Sequence, residues 1–136
     1  MPRVQVETVQ GPPRRQIIKG LIAFNTSAVG KGRYKSLTIT LRLGKEIVGG
    51  LAGYTWMGWF FIELLWIADK YRGKGHGTSL MKKAEDEARK RGACNAYVSL
   101  FTFQALGFYK RLGYRQFGRL KDYPAGYDCV WLTKAL

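Results

Sequence analysis

Apolar and polar residues alternate along this chain with two distinct periods. Leu37, Ile39 and Leu41 alternate with Thr38, Thr40 and Arg42, the period-2 signature of a half-buried strand. Gly44-Lys45 then reads as a hairpin turn, and Glu46 to Trp56 as the returning strand. Gly49, Gly50 and Gly53 within it predict a bulge or the close approach of another backbone. Met57-Gly58 turns again into Trp59 to Ala68, a nearly continuous apolar run that reads as the central strand. Links this short make these strands antiparallel. Val4 and Val6 alternate with Gln5 and Glu7, which predicts one further strand ahead of them, ended by Gly11-Pro12-Pro13.

The second period is helical. Proline suits a first helical turn, and Ile17, Ile18, Leu21, Ile22 and Phe24 follow at helical spacing; Asn25 to Lys35 reads as a loop. After Gly77, the residues Leu80, Met81, Ala84 and Ala88 form an apolar stripe. Glu85/Arg89, Asp86/Lys90 and Glu87/Arg91 are acid-before-base pairs expected on the solvated face, and Gly92 ends the helix. Ala93 to Leu100 is a strand parallel to the one before the helix if the crossover follows the usual rule. Thr102 is expected to cap a short helix carrying Ala105, Phe108, Tyr109 and Leu112, stopped by Gly113. Tyr114 to Phe117 and Asp128 to Leu132 close the chain as a hairpin. The order β, α, three β, α, β, α, two β predicts one α+β (mixed α/β) domain over residues 1–136, a mostly antiparallel central sheet flanked by helices.

Composition narrows this picture. The chain's 136 residues suffice for one core, and 46% hydrophobic content with four tryptophans argues for a folded globule. No apolar run reaches the ~18–20 residues of a membrane-spanning helix; the longest, Trp56 to Ala68, is broken by Gly58 and Glu63. The opening MPRVQVE lacks the apolar stretch of a signal peptide, so a cytoplasmic location is expected. Cys94 and Cys129 read as two buried reduced thiols, and one histidine with two distant cysteines is too few for a metal site. The net charge of +14 attracts polyanions. A phosphate-bearing cofactor and nucleic acid are both ligands of that kind.

The chemistry gathers at Leu64 to Gly77, LLWIADKYRGKGHG, read as strand, glycine-rich turn and helix start. Such a turn leaves backbone N–H groups unpaired at the positive end of a helix dipole, which suits phosphate. Gly73-Lys74-Gly75-His76-Gly77 lacks the third glycine of the dinucleotide fingerprint and the Gly-Lys-Ser/Thr ending of the nucleotide P-loop. The plain alternative is an ordinary tight turn.

Arg72-x-x-Gly75-x-Gly77 resembles the pyrophosphate loop, [Q/R]-x-x-G-x-[G/A], of the GNAT superfamily of acetyl-CoA-dependent acyltransferases. Phe108-Tyr109-Lys110-Arg111-Leu112-Gly113-Tyr114 is similar to that superfamily's F-Y-x-x-x-G-[F/Y] segment, and lies where the family has it. Tyr123-Pro124-Ala125-Gly126 and the following strand are also like small bacterial members, so the likeness runs from about Leu41 to the end. It implies acetyl-CoA as co-substrate, no metal, and transfer of the acetyl group to a primary amine by direct attack. It implies cofactor contacts at Arg72, Gly73, Lys74, Gly75, His76 (through its backbone), Gly77 and Thr78, with backbone groups of Leu65, Trp66 and Ile67 meeting the pantetheine amides. Many members carry Asn where this chain has Thr102, and Gln104 is the candidate substitute.

An alkylamine is protonated at neutral pH, and removing its proton costs about 3 pH units, or ~4 kcal/mol, so a base is needed. Glu63, flanked by Phe60, Phe61, Ile62, Leu64 and Leu65, is the one carboxylate of the central strand, and its surroundings predict a raised pKa. It also lies nine residues ahead of Arg72, the spacing of the base in some polyamine-type members. It is the candidate general base, directly or through water; the alternative is a surface carboxylate. Tyr109 matches the family tyrosine that can protonate the leaving thiolate, the alternative being a core aromatic.

The reading is thus an N-acetyltransferase acting on a small-molecule amine, with no membrane partner and a homodimer left open. Two alternatives remain: a basic nucleic-acid-binding domain, with Trp56 and Trp59 for stacking, and a CoA-binding module without turnover.

Overall fold

Strands form where the period is two, and helices where it is 3.6, with one exception at the amino end. The structure is a computed structural model that describes all residues, Met1–Leu136. The chain divides into two compact units, Met1–Gly32 and Arg33–Leu136.

The first unit holds α1, Gly11–Val29, with proline in its first turn as expected. The helix runs on through Asn25–Val29, where a loop is predicted, and ends at Gly30, whose φ of 79° suits glycine. The strand predicted at Val4–Val6 is absent. A strand requires a neighbour for its backbone groups. Here the segment makes local side-chain bonds instead, Arg3 to Gln5 and Gln5 to Glu7.

The second unit contains β1 (Lys35–Leu43), β2 (Glu46–Trp56), β3 (Trp59–Ile67), a single 3₁₀ turn (Asp69–Tyr71), α2 (His76–Lys90), β4 (Asn95–Phe101), α3 (Leu106–Arg111), β5 (Arg115–Lys121) and β6 (Asp128–Ala135). The strands form one sheet in the order β1-β2-β3-β4-β6-β5, antiparallel at every pair except β3 with β4. Phe60, Ile62, Ala96, Val98, Val130 and Leu132 alternate inward and meet Met81, Ala84 and Ala88 of α2, with Tyr109 and Tyr114 completing the core.

The glycines of β2 mark close approach. A Cβ at Gly53 would meet the Phe61 carbonyl oxygen, and one at Gly49 would stand 2.9 Å from the Trp66 carbonyl oxygen. The expected bulge is here as well: Gly53 pairs with Ile62 and Ala52 with Leu64, so Glu63 is the extra residue of β3.

Three side chains depart from expectation. Glu85 lies on the buried face of α2, 6% exposed, and not on the solvated one. Its carboxylate accepts from the Tyr114 hydroxyl at 2.6 Å and from Lys134 Nζ at 2.9 Å, partners from distant segments that outcompete Arg89. Arg89 pairs with Asp86 instead. Thr102 does not cap α3, whose N-cap is Ala105 without a side-chain bond. Cys94 is exposed, because β4 begins one residue after it; Cys129 is buried, and both are free thiols. No helix is long and apolar enough to cross a membrane.

Candidate active site

The parallel pair at the centre of the sheet is short. β3 and β4 stay in register only from Trp59–Asn95 to Ile62–Val98. Beyond Ile62 the bulge at Glu63 turns β3 away, while β4 continues beside β6 to Phe101. A cleft of about 1040 Å³ opens between the diverging strands. Past the bulge, β3 keeps β2 on one side and has no strand on the other, so alternate backbone groups of Glu63–Ile67 face the cleft without ladder partners. This also explains why Leu64 and Trp66, in an apolar run expected to be central, are exposed.

The glycine-rich turn closes one end of the cleft. Gly73 and Gly75 have φ of 73° and 84°, left-handed values that a Cβ would strain. They bring the chain back into α2, whose first backbone bond is Ser79 N–H to Gly75 O at 3.1 Å. The N–H groups of His76, Gly77 and Thr78 therefore lie outside the helical ladder, at its positive end. Arg72 is held beside them: its Nε donates to the Ile67 carbonyl at 2.7 Å and its Nη1 pairs with Asp69 at 2.7 Å. Gly77 is required for another reason. A Cβ there would come within 3.2 Å of the Phe108 ring, so glycine lets α3 settle on the first turn of α2.

Tyr109 of α3 also lines the cleft, 7% exposed, with its ring edge-on to Phe108 and Tyr114. Burial raises its phenol to about 12, so it is neutral at any physiological pH. Glu63, exposed, faces the same cleft. Burial also raises Tyr54 to about 12, with Tyr97 and then the charge of Glu63 adding to it.

The cleft gathers most of the residues expected from sequence: Glu63, Leu65, Trp66, Ile67, Arg72, Gly73, Gly75, His76, Gly77, Thr78, Gln104 and Tyr109. Lys74 does not line it. Gln104 uses its Oε1 to accept from the Phe101 N–H at 2.9 Å, which leaves its amide nitrogen available. No cluster of three His, Cys, Asp or Glu side chains able to hold a metal ion occurs.

The strand, glycine turn and helix start expected at Leu64–Gly77 follow one another in the structure, and the splaying of β3 from β4 adds the cleft. The sequence profile of the acetyltransferase (GNAT) family matches residues 13–114. The chain belongs to the GNAT acetyltransferase family. It is 36% identical to an acetyltransferase of Agrobacterium fabrum over 84% of each chain. It is 34% identical to the blasticidin-S acetyltransferase of Streptomyces morookaense, over 100% of this chain and 98% of the other. A crystal structure of an acetyltransferase from Bacillus cereus superposes with a TM-score of 0.89 at 26% identity, over 98% of both chains.

Within this GNAT cleft the structure adds residues that sequence reading missed. Arg111, at the end of α3, adds a cation to the lining, and Tyr71, Ser99, Phe103 and Phe108 also line the cleft. Arg111 lies inside the F-Y-x-x-x-G segment, so its place was open to inference; Phe103 and Ser99 carried no motif signal.

Proposed function

We propose that this GNAT acetyltransferase moves the acetyl group of acetyl-CoA to the nitrogen of a primary amine by direct attack. The observation that carries the reading is convergence. One cleft is lined by a helix start with free N–H groups, an unpaired strand edge, the carboxylate residue Glu63 and the neutral phenol Tyr109. The helix N-terminus, with Arg72 and Arg111, suits the pyrophosphate. The free edge of Leu65–Ile67 suits the pantetheine amides by strand addition.

Glu63 takes a proton from the incoming ammonium, directly or through water. The amine nitrogen bonds to the thioester carbonyl carbon and the carbon–sulfur bond breaks. Tyr109 faces the departing sulfur. Its phenol, raised to about 12, is a weaker acid than a thiol of about 8.5. Full transfer is therefore uphill, and Tyr109 acts chiefly as a hydrogen-bond donor to the developing thiolate. The nitrogen sheds two protons in all: one leaves through Glu63 to solvent, and the other ends on the sulfur to give the free CoA thiol.

The test is release of free CoA thiol from acetyl-CoA across a panel of primary amines, with mass spectrometry of the product. An N-acetylated amine is the expected result. Acetyl-CoA binding with no transfer to any amine would instead favour a binding module.

A further inference from the structure

Four aromatic rings cluster at the far end of β4, beside the cleft. Phe101 stacks on Phe103 with centroids 5.3 Å apart and planes 9° from parallel, and on Tyr123 at 5.4 Å. Tyr127 meets Phe103 edge-on at 5.1 Å. Rings in a core are covered, but here Phe103 is 55% exposed, Tyr123 50% and Tyr127 48%. Contiguous exposed apolar surface of this kind marks a binding site more often than a structural one. Phe103 is also part of the cleft lining, so the patch continues the site.

The cluster is held in place by its backbone. The Thr102 N–H donates to the Asp128 carbonyl at 2.8 Å, and the Asp128 N–H donates to Thr102 Oγ1 at 3.0 Å. This reciprocal pair ties the segment carrying Phe101 and Phe103 to the turn carrying Tyr123 and Tyr127. That turn is closed on itself by Tyr123 N–H to Tyr127 O and Tyr127 N–H to Pro124 O, both 2.9 Å. Thr102 thus has a use that its sequence position did not suggest. The nearby carboxylate already has partners: Asp128 Oδ1 accepts from the Asp122 N–H at 3.2 Å and Oδ2 pairs with Arg119 at 3.3 Å. What the patch offers is rings in a fixed arrangement, which reward a flat partner by stacking and edge contacts.

We propose that Phe103, Tyr123 and Tyr127 form an acceptor wall selecting amines that carry a flat aromatic ring. The proposal rests on the acyl-transfer reading of the cleft and goes further by naming the acceptor class.

The test compares phenyl-alkylamines of one to four methylenes with their cyclohexyl counterparts, which match in carbon count but are not flat. At saturating acetyl-CoA, kcat/KM should favour the phenyl member by about 3- to 10-fold at one or more spacer lengths. Tyr127→Leu should shrink that ratio toward one, while Tyr127→Phe, which keeps the ring, should preserve it. The rise in melting temperature on adding CoA should be unchanged in both variants. Calorimetry of the same amines on CoA-loaded protein reads the preference as Kd without turnover. Phenyl selectivity in binding with no acetylation would therefore sink the reaction and keep the wall. Equal phenyl and cyclohexyl values in both measurements, or a preference that survives Tyr127→Leu, overturns the wall. So does loss of the CoA melting shift in Tyr127→Leu, which would assign the rings to the adenine of CoA.

Discussion

Glu63, the proposed base, and Tyr109, the proposed hydrogen-bond donor, stand in different surroundings, one exposed and one buried. Glu63 is the extra residue of a bulge and lines the cleft. Glu63→Gln keeps the shape and removes the basicity. We expect kcat/KM to fall by on the order of 10²-fold near neutrality, with the loss shrinking at high pH where the free amine is abundant. Acetyl-CoA binding should hardly move; wild-type turnover across the pH range would take Glu63 out of the mechanism. Tyr109→Phe removes only a hydroxyl from a buried ring. A fall in kcat of about 10²-fold with little change in acetyl-CoA affinity is expected. In the wild type, no alkaline limb from Tyr109 should appear until the pH approaches about 12. Unchanged kcat in the phenylalanine variant would leave the ring with a packing role alone.

At the scale of elements, α2 does two jobs along its length. Its first turn presents the free N–H groups proposed to meet the pyrophosphate, and a later turn, through Glu85, holds Tyr114, between α3 and β5, and Lys134 of β6. Gly75→Asp places both a strained φ and a negative charge in the cradle. It should abolish the melting shift given by acetyl-CoA, which ligand linkage otherwise produces. Gly75→Ala, strained but neutral, should weaken the shift without abolishing it. An equal shift in both variants and the wild type would move the cofactor elsewhere. Glu85 and Tyr114 are buried and bonded to each other, and the half-buried Lys134 pairs with the same carboxylate. Burial first, and then the bond to Glu85, raise the Tyr114 phenol in the folded state. The folded chain therefore keeps a proton that the unfolded chain begins to release near pH 10. The associated stability is present in full below about pH 10 and is lost as the pH climbs above it. Melting temperatures from neutral to strongly alkaline pH should fall more steeply for the wild type than for Tyr114→Phe. Parallel curves would show that Tyr114 titrates alike in both states.

The whole molecule carries +14. A field of this size steers anions such as CoA toward the protein and also attracts nucleic acid. If it serves cofactor capture, duplex and single-stranded DNA should bind only weakly near ~150 mM salt, with affinity dropping steeply as salt rises. Tight DNA binding under those conditions, with no acetyl transfer, would promote the nucleic-acid reading.

Much of this protein was determined locally. The hairpin turns, the parallel crossover and the Leu80–Met81–Ala84–Ala88 stripe follow from periodicity and turn chemistry, because each depends on residues near in sequence. The glycine turn was legible for the same reason: left-handed φ and free N–H groups are local properties. What lay beyond reach depends on distant partners. Periodicity placed Glu85 among solvated ion pairs, yet Tyr114 and Lys134 arrive from 29 and 49 residues away and draw it inside. Alternation at Val4 and Val6 promised a strand, but a strand exists only when another lies beside it. Thr102 had a cap's chemistry and found Asp128 instead, 26 residues on. The aromatic wall is assembled from two loops whose proximity only the β4–β6 pairing decides. Local sequence chose the elements and the glycine turn; long-range packing decided which charges are buried and which rings meet beside the cleft.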